Sequence, residues 1–100
     1  MILDDALFTN DVIIFDELRS SAVTYGASTG PRLRVSYENT PYLGVWTKPG
    51  AKFVCIEPWH GFADPEGFEG DFAEKPGTFT VARRAAFELR MEISLIPATY

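Results

Sequence analysis

The clearest pattern along the chain is a two-residue alternation of apolar and polar side chains. Leu33, Val35 and Tyr37 alternate with polar residues, as do Phe79 and Val81. The longest such run occupies residues 87–95, where the apolar positions are Phe87, Leu89, Met91, Ile93 and Leu95. A period of two fits a half-buried β-strand, because a helix would spread both sets of side chains around its circumference. These runs therefore predict strands with one face in solvent.

Two shorter runs, residues 12–15 and 53–56, are apolar on both faces. Such runs are typical of strands covered on both sides, so we expect them at the centre of a sheet. Glycine and proline interrupt the chain at short intervals, which favours an antiparallel β-sandwich or barrel built as one domain over residues 1–100. The helix prediction is limited to one turn from Asp4 to Phe8, with Asp4 as its cap.

Residues 58–77 form a long segment rich in glycine and proline that nevertheless carries aromatic side chains, namely Trp59, Phe62, Phe68 and Phe72. Two interpretations are open: the rings close one end of the core, or the loop forms the wall of a binding cleft. The segment also holds five carboxylates: Asp64, Glu66, Glu69, Asp71 and Glu74. Their spacing does not match a calcium-binding EF-hand loop, so we interpret them as a solvated acidic loop.

Composition and charge exclude several classes to which this protein could belong. The 100 residues are 46% hydrophobic and 14% aromatic, which is typical of a folded domain rather than a disordered chain. Nine basic and 14 acidic residues give a net charge of −5, which argues against nucleic acid as a partner. A single cysteine excludes an internal disulfide, and no apolar stretch is long enough to span a membrane. We expect a soluble, cytoplasmic protein.

Glu57 is the most informative single residue. It follows the apolar run 53–56, shares a face with Cys55 by strand alternation, and is followed at once by Pro58. A carboxylate at the rim of a buried strand is partly desolvated, which suits a general base. The alternative is an ordinary exposed glutamate at a strand end, and the spacing alone favours that alternative.

Trp46 and Trp59 lie close to Glu57 in sequence, and an indole face is a common platform for the apolar face of a sugar ring. The alternative for both is packing in the core. His60 is the single histidine, and we weigh an acid catalyst against a structural or solvent-facing side chain. Cys55 has no basic neighbour in sequence and is interpreted as an inert, buried thiol.

Residues 41–64 read PYLGVWTKPGAKFVCIEPWHGFAD and residues 74–77 read EKPG. Together they resemble the aldose 1-epimerase (galactose mutarotase) family, and most closely a bacterial branch in which a tryptophan-bearing strand, a CIEPW strand end and an EKPG turn recur in that order. Residues 7–15, LFTNDVIIF, resemble the same branch. The resemblance therefore covers most of the chain.

The resemblance implies a β-supersandwich fold and a reaction that interconverts the α and β anomers of an aldose. In the family, a glutamate takes the proton of the C1 hydroxyl while a histidine protonates the ring oxygen, and no cofactor or metal takes part. The family's glutamate base matches Glu57. Trp46 falls on a strand that lines the family's cleft, and Asp11 matches an aspartate that hydrogen-bonds sugar hydroxyls. With Trp59, these residues form the expected site for a hexose.

The chain also departs from the family. Members are longer, and their catalytic histidine and their substrate-binding arginine and histidine lie upstream of the part that matches here. His60 corresponds to none of these residues. The chain thus resembles the carboxy-terminal third of an epimerase, and we expect it to be inactive alone. The alternative is a non-catalytic carbohydrate-binding or self-associating β-sandwich. Because the upstream strands are missing, we expect the apolar face of residues 87–95 to drive association into a homodimer.

Overall fold

The computed structural model describes residues 1–61, 63 and 65–98. It is all-β: two three-stranded antiparallel sheets pack together, which confirms the predicted sandwich. The strands are β1 (Ile13–Phe15), β2 (Ala22–Gly26), β3 (Arg32–Glu38), β4 (Tyr42–Trp46), β5 (Cys55–Trp59) and β6 (Arg90–Ile96). Two short 3-10 helices occupy Asp5–Phe8 and Phe72–Glu74. No helix in the described part of the chain is long and apolar enough to span a membrane.

The first sheet has the strand order β1-β4-β5, so β4 is central. The prediction that residues 12–15 and 53–56 form central strands is therefore wrong, since they belong to or precede the edge strands. The side chains of Ile14 and Phe53 are 46% and 49% exposed, whereas Leu43 in β4 is only 2% exposed. An apolar run indicates that a strand has side chains to bury. Which strand lies at the centre of the sheet depends on the strands with which it pairs.

The second sheet has the order β2-β3-β6, and its register places Val35 opposite Ile93 and Tyr37 opposite Met91. The strand predicted around residues 33–37 is confirmed as β3, and that predicted over residues 87–95 is confirmed from Arg90 onward as β6, since residues 87–89 precede the strand. The predicted strand around Phe79 and Val81 is wrong, because these residues form no ladder. Phe79 instead packs its ring against two other rings, as described below.

The core is small. The buried cluster consists of Phe8, Tyr37, Leu43 and Val45. The first 3-10 helix delivers Phe8 to this cluster, and the Asp4 carboxylate accepts a hydrogen bond from the Leu7 N–H at 3.1 Å, which confirms the predicted cap. The radius of gyration is 16.3 Å. A compact domain of this length has a value of about 13 Å, so the two sheets are only partly covered by each other.

The incomplete packing leaves an apolar cleft of about 740 Å³ between the sheets. Phe15 of β1, Val23 of β2 and Leu43 of β4 line it, together with the first residues of the chain. A well-packed interior holds few voids larger than a water molecule. The two sheets are therefore less tightly packed along this cleft than a typical protein interior.

Candidate functional site

The Glu57 carboxylate lies on the outer face of the first sheet. Its cross-strand partner is Gly44, and the neighbours of Gly44 along β4, Leu43 and Val45, are buried in the core. Because successive residues of a strand point to opposite faces, Gly44 and Glu57 belong to the face away from the core. Glu57 is exposed. The expected partial desolvation is thus wrong, because β5 is an edge strand rather than a covered one.

Glu57 makes no hydrogen bond and no ion pair with the residues that the structure describes. Exposed ion pairs contribute little to stability, so nothing in this part of the fold requires a carboxylate at position 57. A group that is free of structural partners remains available to a ligand. The exposure of Glu57 fits the alternative of an ordinary surface glutamate at a strand end, and its surroundings among the described residues assign it no structural role.

The indole of Trp59 lies against Gly44, the cross-strand partner of Glu57. A Cβ atom built on Gly44 would approach Cζ2 of Trp59 to 2.7 Å and Cε2 to 3.0 Å. Cβ atoms of directly opposite residues are roughly 4.5–5.5 Å apart. The six-membered ring therefore occupies the space that a side chain at position 44 would fill, next to the side chain of Glu57.

Trp46 lies two residues from Gly44 along β4 and is paired with Cys55. By alternation it belongs to the same face as Glu57 and Trp59. Its ring centroid is 5.7 Å from that of Phe53, and the side chain also packs against the core cluster. Trp46 therefore has a packing role that Trp59, which is absent from the core cluster, does not share.

Asp11 lies apart from this face. It is exposed, has a φ of +76°, and its N–H donates to the carbonyl of Phe8 at 3.2 Å in the turn before β1. Since β4 separates β1 from β5, the strand that follows Asp11 is not adjacent to the strand of Glu57. The structure brings Glu57 and Trp59 together, with Trp46 beyond them, and it shows no contact between Asp11 and these residues.

His60 is held by an aromatic cluster. Its Nδ1–H donates to the carbonyl oxygen of Gly77 at 3.0 Å. The imidazole centroid is 3.9 Å from the ring of Phe79 and 5.7 Å from the ring of Phe87, and these two phenyl rings are 4.4 Å apart. The contacts give His60 a structural role, since they fix the start of the long loop against the segment that leads into β6.

The long loop supports neither interpretation completely. Trp59 belongs to β5 rather than to the loop, and Phe72 is 78% exposed, so neither ring closes the core. Phe62 and Asp64 lie outside the described residues. In the part of the chain that the structure describes, no three His, Cys, Asp or Glu side chains are grouped in a way that could hold a metal ion.

Two features of this face were missed by sequence reasoning. Gly44 is one, and a lone glycine inside an apolar strand is a known signal of close approach by another group. Ile14 is the other: it pairs with Gly44 from the opposite side and is 46% exposed, so it extends the apolar part of the face. Its register with Gly44 depends on long-range pairing, which no local pattern reveals.

Comparison with known proteins gives a partial match. The chain is 38% identical over 63 residues to two forms of Protein LacX, chromosomal and plasmid, from Lactococcus lactis subsp. lactis. The match covers 61% of this chain and 21% of each LacX protein, so the chain corresponds to about a fifth of the length of these curated relatives. No family model and no solved structure matches. The chain is therefore a partial homologue of LacX.

Proposed function

We propose that the chain carries the base-bearing part of an aldose-binding site of the aldose 1-epimerase type. One observation carries this proposal: the Glu57 carboxylate is exposed and has no partner among the residues that the structure describes, and the Trp59 indole lies against Gly44, the cross-strand partner of Glu57. The resemblance of the CIEPW strand end to that family, and the partial homology to LacX, support the same assignment.

The two side chains offer complementary contacts to a hexose. An indole provides a flat apolar surface for the C–H groups on one side of a pyranose ring. An ionised carboxylate accepts hydrogen bonds from hydroxyl groups, and such charge-assisted bonds are stronger than neutral ones. A sugar stacked on Trp59 would thus place its hydroxyl groups within reach of Glu57.

In the proposed reaction, Glu57 takes the proton of the C1 hydroxyl. The C1–O5 bond breaks as the ring oxygen receives a proton from a general acid, and the sugar opens to an aldehyde. Rotation about C1–C2 followed by the reverse steps gives the other anomer. The base contributes here only if the acid acts in concert with it.

The proposed reaction also needs a general acid, and we find no side chain in the described part of this chain that is placed to act as one. His60, its single histidine, is engaged through Nδ1 by Gly77 and is packed against Phe79. We therefore propose that the chain alone binds an aldose without turnover. That behaviour coincides with a non-catalytic carbohydrate-binding module, and the C1 hydroxyl distinguishes the two: a site derived from an epimerase prefers a free aldose over its methyl glycoside.

Sugar titration followed by tryptophan fluorescence tests the proposal. Trp46→Phe leaves Trp59 as the single indole reporter. We expect a saturable change with galactose or glucose and a dissociation constant of about 1 mM, equivalent to about −4 kcal/mol. Glu57→Gln should weaken binding, whereas Glu66→Gln, which alters an exposed loop carboxylate, should not. Absence of any saturable change in a folded protein would contradict the proposal.

A further inference from the structure

One apolar surface of the second sheet is largely uncovered by the described residues, although Phe87, at its start, contacts the rings of His60 and Phe79. We define it as the β6 face: Phe87, Leu89, Met91, Ile93 and Leu95. These side chains are 45–69% exposed. Their β3 partners Val35 and Tyr37, on the same face, are 4% and 8% exposed. The first sheet therefore covers the part of β3 around Val35 and Tyr37 and stops short of β6.

The backbone of β6 is also open along one side. Within the described residues β6 pairs with β3 alone, which makes it an edge strand. The preceding residues continue alongside β3, because the Asn39 side-chain amide donates to the Glu88 carbonyl at 2.8 Å. An open strand edge next to an apolar face is a template for pairing with another strand. A strand paired with this edge would extend the sheet and would also cover part of the β6 face.

The charged side chains on the polar face of β6 indicate which strand could pair with its open edge. Arg90 and Glu92 carry opposite charges two residues apart, on either side of Met91. We propose that β6 pairs antiparallel with β6 of a second copy of this chain, around a two-fold axis through Met91. This register places Arg90 of each copy opposite Glu92 of the other. It also places Leu89 opposite Ile93 and Phe87 opposite Leu95, so the apolar face becomes continuous across both copies.

An axis through Leu89 also pairs opposite charges, Arg90 with Glu88, but Glu88 precedes β6 and Leu95 then lies opposite Arg83. The other neighbouring registers are less favourable. An axis through Arg90 places this arginine opposite itself, and an axis through Glu92 places two carboxylates together, and like charges directly opposite are destabilising. An axis through Ile93 places Glu92 opposite Ser94 and leaves both charges without a partner. A shift of the β6–β6 register by one residue places apolar side chains of one copy opposite polar side chains of the other. The apolar faces of the two copies would then lie on opposite sides of the joined sheet. The existing contact of Arg90 with Glu88, at 3.4 Å, is exposed and can be exchanged for the new pair.

Charge exchange tests the register in solution. Analytical ultracentrifugation of the full chain should show a dimer that dissociates on dilution. Arg90→Glu and Glu92→Arg should each raise the dimer dissociation constant by about tenfold, and the double variant should restore it. Phe72→Lys, which alters an exposed ring outside β6, should leave it unchanged. A folded monomer at micromolar concentrations, or a double variant no better than the singles, would overturn the proposal.

Cysteine cross-linking tests the axis directly and needs no change of charge. In a Cys55→Ser background, Met91→Cys should form a disulfide with its own copy, since opposite residues lie within bridging distance. Ile93→Cys should not, because the two copies of residue 93 are roughly 13 Å apart in this register. A mixture of Leu89→Cys and Ile93→Cys chains should cross-link. Efficient bridging of Ile93→Cys with itself would contradict the register.

Discussion

The indole of Trp59 rests on the backbone of Gly44 so closely that a methyl group at position 44 would lie 2.7 Å from Cζ2. Gly44 in turn is the cross-strand partner of Glu57. A glycine in the central strand therefore sets the position of an aromatic side chain next to an exposed carboxylate. This arrangement is the structural basis of the proposed sugar-binding face.

Gly44→Ala should displace the indole of Trp59 and destabilise the fold by about 1–3 kcal/mol, the usual cost of inserting a methyl group into an occupied space. Chemical denaturation with Trp59 fluorescence measures both effects. Gly61→Ala is the matched control, because its nearest non-neighbouring atom lies 3.8 Å from the new Cβ. Equal stability of the two variants would show that Trp59 does not depend on Gly44.

The isolated chain should not accelerate mutarotation of freshly dissolved α-glucose or α-galactose, because its single histidine, His60, is engaged by Gly77 and Phe79 and is not placed to act as an acid with the proposed base Glu57. Polarimetry with and without protein measures this directly. A catalysed rate that disappears in both Glu57→Gln and His60→Ala would show instead that His60 is the acid.

An external acid extends this test. If Glu57 is a competent base, imidazolium added to the solution should raise the mutarotation rate more steeply with the unaltered chain than with Glu57→Gln. The buffer alone provides the background slope. Identical slopes for the two proteins would argue against Glu57 as the base.

His60→Ala should lower stability by about 1–3 kcal/mol, since it removes a ring from the cluster with Phe79 and Phe87 and leaves the Gly77 carbonyl without its donor. Thermal unfolding measures the loss. Binding of sugar at Trp59 should be unchanged under conditions where the variant is folded. A large loss of sugar affinity with little loss of stability would assign His60 to the site.

The sequence predicted well what depends on local pattern. Alternation of Leu33, Val35 and Tyr37 located β3, and alternation up to Leu95 located β6, because a two-residue period has one structural solution. Asp4 was identified as a helix cap for a similar reason: the capping geometry needs only three residues.

What depended on pairing partners was not predictable. Ile14 and Phe53 occupy two-sided apolar runs, yet they end up half-exposed at the edges of a sheet, because strand order is decided by distant residues. The exposure of Glu57 agrees with the alternative that the spacing favoured, an ordinary exposed glutamate at a strand end. That Trp59 would cover Gly44 depends on the pairing of β4 with β5 and was not indicated. The site residues Glu57, Trp46, Trp59 and Asp11 remain predictions.

The proposed contact between Glu57 and the C1 hydroxyl of an aldose is tested most directly by comparing dissociation constants for galactose and methyl α-galactoside, which lacks that O–H. Titrations on the Trp46→Phe background, with and without Glu57→Gln, give the four values of a double-mutant cycle. A hydrogen bond to a charged acceptor contributes about 1.5–3 kcal/mol. We therefore expect at least a tenfold preference for galactose with Glu57 and none with the glutamine. Equal affinity for both sugars in the presence of Glu57 would contradict its assignment as the base.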